Sequence, residues 1–177
     1  MFNKGDFLVS MPTLRGDYFQ STVTCMIDHN DQGAFGLVIN KPSNFAFKEL
    51  FDIEAEDNSI PLLEGGPVEQ ARLFFLHGGS KQYDQSLVIN NELTLSTSED
   101  LIGDIERGEA PLNLIALLGY AGWGPGQLED EIQRDAWLVI PFDKDILFSG
   151  EHELKPTLAA AKLGVDLNLI GPTPGHG

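Results

Sequence analysis

The chain has 177 residues, 42% of them hydrophobic and 9% aromatic, which is enough apolar surface to build one buried core. Its 27 acidic against 11 basic side chains give a formal net charge of -16, a field that repels polyanions and disfavours direct contact with nucleic acid or an anionic membrane. Cys25 is the only cysteine, which excludes an intrachain disulfide and any multi-cysteine metal site.

The first segment, MFNKGDFLVSMP, places Asp6 inside what would be the apolar run of a signal peptide, and Pro12 breaks that run. Export is therefore not expected. The run FLVSM reads as a short strand. STVTCMID alternates and is rich in β-branched residues, so it reads as a second strand, folding back through HNDQG into AFGLVINKP as a hairpin that contains Cys25. FAFKELFDI is a short amphipathic helix candidate. The acidic break AEDNS and the following IPLLEGGPVE are the most loop-like part of the chain.

ARLFFLH, residues 71 to 77, predicts a buried strand, and SLVINNELTLSTS predicts two strands around the turn pair Asn90-Asn91. Ser98 can cap a helix over SEDLIGDIERG, with acids in its first turn and Gly108 just past its end. LNLIALLGY lacks polar alternation, as a strand buried on both faces does, and belongs at the centre of the sheet. GQLEDEIQRD reads as helix, AWLVI as a strand ended by Pro141, and DKDILF and ELKPTLAAAKLG as two more helical pieces, with Pro156 in a first turn or at a break. No apolar stretch reaches the roughly 20 residues of a membrane-spanning helix. The predicted architecture is α+β, one domain over residues 1–170, with a curved, mixed or largely antiparallel sheet flanked by helices, and a flexible tail over 171–177.

The glycines of LLGYAGWGPGQLEDEIQRDAWL invite a phosphate-cradle reading. A Walker loop needs Lys and Ser/Thr after its last glycine, where Gln127 and Leu128 stand. A dinucleotide fingerprint needs G-x-G-x-x-G early in a βαβ unit, whereas Gly122, Gly124 and Gly126 are spaced G-x-G-x-G late in the chain. Glu129, Asp130 and Glu131 already complement the following helix's positive end and would repel a phosphate. The glycines are expected to serve a corner, through positive φ angles and close packing around a mostly buried Trp123. Cys25 shares a face with Val23 and Ile27 and reads as a core residue. His29, beside Asp28 and Asp31, has poor spacing for a metal or base site. His77 reads as structural, and the carboxylates of SEDLIGDIE and LEDEI as solvated helix faces. No catalytic, metal or cofactor motif is present, so no catalytic residue, metal ligand or cofactor is assigned.

The blocks MPTLRGDYFQSTV, HNDQGAFGLVINKP, EGGPVEQARLFFLH, LTLSTSEDLI and GYAGWGPGQLEDEIQRDAWL together resemble the AlgH/YqgE family of small bacterial proteins, in order and over nearly the whole chain. Gly119, Tyr120, Trp123, Gln127 and Glu129 match its motif, as do Asn40 and Pro42. Lys41 stands where Arg is common, and a glycine is inserted in LRGDYF. The resemblance implies an α+β fold with a strongly coiled sheet. The family is mostly uncharacterised, and its label as transcriptional regulators stems from a role in alginate control.

Three functions follow as expectations. The first is a non-catalytic cytoplasmic regulator acting through a protein partner or a small ligand. The second is an enzyme with a small-molecule site at strand ends, drawn from Asn40, Thr97, Tyr120, Trp123 and Gln127. The third, direct DNA binding, is disfavoured by the charge and the lack of a basic cluster.

Overall fold

Period-two patterning puts apolar side chains on one side of a strand, and the N-terminal third of the chain follows it until a single interruption. In the computed structural model, which describes residues 3–12, 19–50, 60–79 and 81–169, β1 (Phe7–Ser10), β2 (Val23–Asn30) and β3 (Gly33–Val38) pair antiparallel in sequence order. The β2–β3 hairpin turns at Asp31 and Gln32, where the Gln32 N–H donates to Asn30 Oδ1 at 2.7 Å. Cys25 lies opposite Leu37 and Asp28 opposite Phe35, with a register shift between Met26 and Asp28. Ile27 is thus an extra residue in β2. A bulge of this kind reverses which side the following residues face. Asp28 and Asn30 therefore join the side that carries Cys25, Leu37 and Phe35.

The apolar run in the middle of the sequence becomes β8 (Leu114–Trp123), the strand with the most neighbours. Along one edge it pairs antiparallel with β5 (Val68–His77), which continues through β7 (Leu93–Ser96) to β6 (Ser86–Asn90). Its other edge is shared. β4 (Leu62–Glu64) runs parallel to Ala116–Leu118, and β3 runs antiparallel to Ala121–Trp123. β4 fills the gap where β3 leaves β8: the Glu64 N–H donates to Lys41 O at 2.7 Å and the Val38 N–H to Gly65 O at 2.8 Å. With β9 (Trp137–Ile140) paired to β1, the order is β6-β7-β5-β8-β3-β2-β1-β9, with β4 beside β8. The fold is α+β and the sheet mixed and largely antiparallel, as the sequence predicts; the sheet is not closed.

One face gathers the main core, including Phe7, Val9, Val23, Cys25, Leu37, Phe74, Leu76, Ile115 and Leu117. The reverse face is covered in two places. α2 (Glu99–Glu106) packs Leu101 and Ile105 against Phe75 and Ala116, and α3 (Gln127–Gln133) packs Leu128 against Leu8, Met26 and Ala121. α1 (Phe47–Leu50) buries Phe47. α4 (Lys144–Leu147) is capped by the Asp143 carboxylate, which accepts from Asp145 N at 2.9 Å, and α5 (Lys155–Ala161) has Pro156 in its first turn. The fully buried Lys155 ties these pieces together by donating from Nζ to Ile39 O at 2.7 Å and to Leu147 O at 2.9 Å.

Several expectations require correction. Gly122 and Trp123 lie inside β8, so the loop is shorter than predicted, and neither Gly122 nor Gly124 has positive φ. Gly126, which caps α3 at φ 77°, does. The close backbone approach lies elsewhere: a Cβ on Gly66 would sit 2.0 Å from Tyr120 C and O, and one on Gly119, at φ +76°, would sit 2.4 Å from Gly66 O. That crossing, together with β4, gives order to a segment whose glycines and prolines read as loop. Ser98 stands at the N-cap of α2, but its hydroxyl donates to Asp100 instead of receiving a backbone N–H. The tail lies outside the described residues, as do the glycine inserted in LRGDYF and the end of FAFKELFDI.

Candidate functional site

The motif-bearing end of β8 presents two different sides. On the side under α3, Trp123 is 6% exposed and packs against Trp137, with ring centroids 6.0 Å apart at 78°. Both indoles donate to one carboxylate oxygen, Glu131 Oε1, at 3.1 Å from Trp123 and 2.8 Å from Trp137. Gln127 donates to the other oxygen at 3.1 Å and accepts the Gly124 N–H at 3.0 Å. The expected corner around a buried Trp123 is present, built from a carboxylate clamp rather than from Gly122 and Gly124. Glu131 is not the solvated residue its helical spacing suggests, because α3 turns it inward to the two indoles. His29, across β3 on this side, contacts Glu129 at 2.5 Å.

The five site residues proposed from sequence fall in separate places. Trp123 and Gln127 meet in the clamp. Asn40 is buried at the start of the β3–α1 connection, where Oδ1 accepts the Val23 N–H and Nδ2 donates to Ser21 O, both at 2.9 Å. It fixes the backbone. Thr97 is exposed at the end of β7, bonded to Gln85 through its hydroxyl at 3.1 Å and its amide at 3.0 Å. Tyr120 is half-buried on the opposite side of β8 from Trp123, as their odd separation dictates.

Beside this strand end lies a shallow cleft. A space of about 240 Å³ at the hairpin tip is lined by Asp28, Asn30, Gln32, Gly33, Ala34, Phe35 and Trp123. Asp28, Phe35 and Gly122 stand in one row across β2, β3 and β8. Tyr120 lies two residues before Gly122, its ring 4.9 Å from Phe35 and 6.2 Å from Phe74. Gly122 is exposed and contributes no side chain, and a Cβ there would meet nothing nearer than Tyr120 Cε2 at 3.7 Å. Asp28 and Phe35 thus line the cleft side by side, with Gly33 at its turn end, while Gly122 and Tyr120 lie on the far side of Phe35 from Asp28. Sequence alternation misses it, because without the bulge at Ile27 Asp28 would face the other way. The turn residues in HNDQG are the available hint.

A second polar group lies beyond the far end of β5. Asp104 on α2 is 1% exposed and receives Lys81, Arg107 and the Tyr83 hydroxyl, the last at 2.8 Å. Lys81 first, then Tyr83, hold its carboxyl down to about 2 against a smaller opposing effect of burial. It too departs from the solvated-face expectation. Burial first and then Asp104 push the Tyr83 hydroxyl up. Next to it His77 is fully buried, its ring edge-on to Tyr83. His77 Nδ1 faces Gly78 O at 3.0 Å, and a carbonyl only accepts, so Nδ1 carries the proton. Nε2 then accepts the Ser96 hydroxyl at 2.8 Å, and Ser96 Oγ is 2.8 Å from Ser86 Oγ. Burial pushes the His77 imidazolium down, keeping the ring neutral. Cys25 is fully buried and burial pushes its thiol up, as a core residue requires.

Against this geometry, the AlgH-like (DUF179) family profile matches residues 7–168. This chain belongs to the AlgH-like family. It is 42% identical over 175 residues to a UPF0301 protein of Thioalkalivibrio sulfidiphilus, covering 96% of this chain and 94% of that one. It is 38% identical to a UPF0301 protein of Nitrosospira multiformis, with 96% and 95% covered. The solution structure of the AlgH protein from Pseudomonas aeruginosa superposes with a TM-score of 0.77 at 40% identity, covering 98% of this chain and 95% of that one. A Corynebacterium diphtheriae protein shares the fold at 19% identity and the same TM-score, over 97% and 92% of the two chains. AlgH-like membership accounts for the sheet and the GYAGWG-x-GQLE corner. Among the described residues no group of three or more His, Cys, Asp or Glu is placed to hold a metal, and no helix is long and apolar enough to cross a membrane.

Proposed function

We propose that this AlgH-like protein is a non-catalytic cytoplasmic regulator that acts through a protein partner or a small ligand taken up at the hairpin-tip cleft. One observation carries the reading. On the Phe35 and Tyr120 side of the motif strand, the exposed Gly122 puts no side chain beside two half-buried rings, whereas the motif's Trp123 and Gln127 are spent on internal bonds. A shallow cleft that sets an aromatic ring beside a carboxylate suits recognition. Its volume, below the roughly 300 Å³ where small-molecule pockets begin, matches part of a partner better than a whole substrate. The test is Gly122→Leu. With open space and no positive φ at this position, the variant is expected to melt like wild type while losing the partner recovered by affinity purification from native cells. Retention of that partner by a folded Gly122→Leu protein would refute the reading.

The enzyme reading is favoured by a different observation, the 2.8 Å contact between Ser96 Oγ and a neutral His77 Nε2. Its weakness is that Ser96 has no exposed surface. Labelling of Ser96 by a fluorophosphonate probe in native protein, lost in His77→Ala, would move the function there.

A further inference from the structure

The carboxylate and the aromatic ring that line the cleft have preferences that together select one chemistry. Asp28 is half-exposed; its partners are the His29 N–H at 2.9 Å and Lys4 at a long 3.9 Å. Beside it in the row stands Phe35, whose ring lies 4.9 Å from that of Tyr120, and aromatic faces attract cations. The neighbouring Phe74 shows this attraction in use, since the Arg72 guanidinium sits 5.0 Å from its ring centroid. Among the described residues no Lys or Arg stacks on Phe35 or Tyr120, and none lines the cleft. The whole chain, at -16, draws basic molecules toward it.

We propose that the cleft at the β2–β3 hairpin tip receives a basic side chain of a protein partner, with Asp28 pairing its charge and Phe35 stacking on it. The inference rests on the cleft being the recognition site and adds the chemistry of what enters. A guanidinium suits it better than an ammonium, because its planar, weakly hydrated head stacks on rings while its N–H groups bond a carboxylate. The aliphatic stem would lie along the bare backbone of Gly33, which lines the cleft. A protein segment fits better than a free amine, since the cleft is open and shallow and holds only a side chain, leaving the rest of the ligand to bind outside it.

The experiment is an NMR titration of isotope-labelled full-length protein with a short glycine-serine peptide carrying arginine, beside the same peptide carrying the neutral isostere citrulline. The arginine peptide is expected to shift the amides of Gly33, Ala34 and Gly122, and the citrulline peptide to leave them in place. Asp28→Asn and Phe35→Leu should each weaken binding by about tenfold, with the melting temperature confirming that both fold. Equal shifts with citrulline, or undiminished affinity in both variants, would overturn the proposal. Spermidine and arginine amide serve as free cations; binding by either as tightly as the peptide would overturn the assignment to a protein segment. If Gly122→Leu loses the native partner while Asp28→Asn and Phe35→Leu keep it, the cleft stands and the cation does not. If Gly122→Leu keeps the partner, the cleft itself falls.

Discussion

Replacing Glu131 by alanine removes the carboxylate that holds both indoles. Trp123 and Trp137, 6% and 4% exposed, each lose their hydrogen-bond acceptor, and Gln127 loses a third bond at 3.1 Å. A buried donor left without a partner costs about 1 to 3 kcal/mol. Glu131 itself is half-buried, so water reaches the vacated side and the low end applies to each indole. The total is about 2 to 4 kcal/mol. For a domain of this size each kcal/mol moves the melting temperature by about 2 to 4 °C, which gives a drop of about 5 to 15 °C. Glu131→Gln keeps one oxygen for both indoles and sets only its amide against Gln127, so its loss should be nearer 1 kcal/mol. Trp123→Ala calibrates the scale at about 3 to 5 kcal/mol as a large-to-small core change. Thermal melts followed by tryptophan fluorescence measure all three. A Glu131→Ala protein melting with wild type, its indole N–H signals unmoved, would refute the clamp.

Alanine at Gly66 or Gly119 should destabilise the fold by more than about 1 kcal/mol, since a Cβ at either meets backbone across the crossing. Gly122→Ala and Gly124→Ala should melt close to wild type; the reverse ranking would contradict the strand geometry. Burial lowers the His77 pKa below 6.5, so the folded protein binds fewer protons there than the unfolded chain, and this contribution to stability is complete above pH 6.5 and lost as pH falls below it. Melts from pH 7 to 5 should therefore fall more steeply for wild type than for His77→Asn. Native Cys25 should resist a thiol reagent at neutral pH and react only on unfolding. Purified protein should give no electrophoretic shift with duplex DNA at physiological salt, and a sequence-selective shift would restore the DNA-binding reading.

Much of the fold is legible in the chain because apolar and β-branched residues mark its strands. The alternation through Val23, Cys25 and Ile27 gives the hairpin and the buried thiol, and the unbroken run before Tyr120 gives the central strand. β4 escapes because Leu62–Glu64 has only three residues between proline and glycine, and parallel pairing leaves no local signature. The candidate site is harder. Tyr120 and Trp123 lie in one motif, yet their spacing sends them to opposite sides of the sheet. Asn40 and Thr97 carry site-like chemistry but are used on backbone and on Gln85. Asp28 enters the cleft only through an extra residue in β2, which depends on pairing with β3 and not on composition.

The short strand β4 also bears on the order of assembly. It is hydrogen-bonded on one side to the chain following β3 and on the other to β8, two stretches far apart in sequence. Each bonded edge needs a partner remote from β4 in sequence, so local contacts cannot nucleate β4. The entropy of closing the long intervening loop must be met first. β4 therefore docks late, as a keystone set after its arch, and its amides should exchange with solvent through a smaller opening than those of β8, the strand on which the rest is assembled.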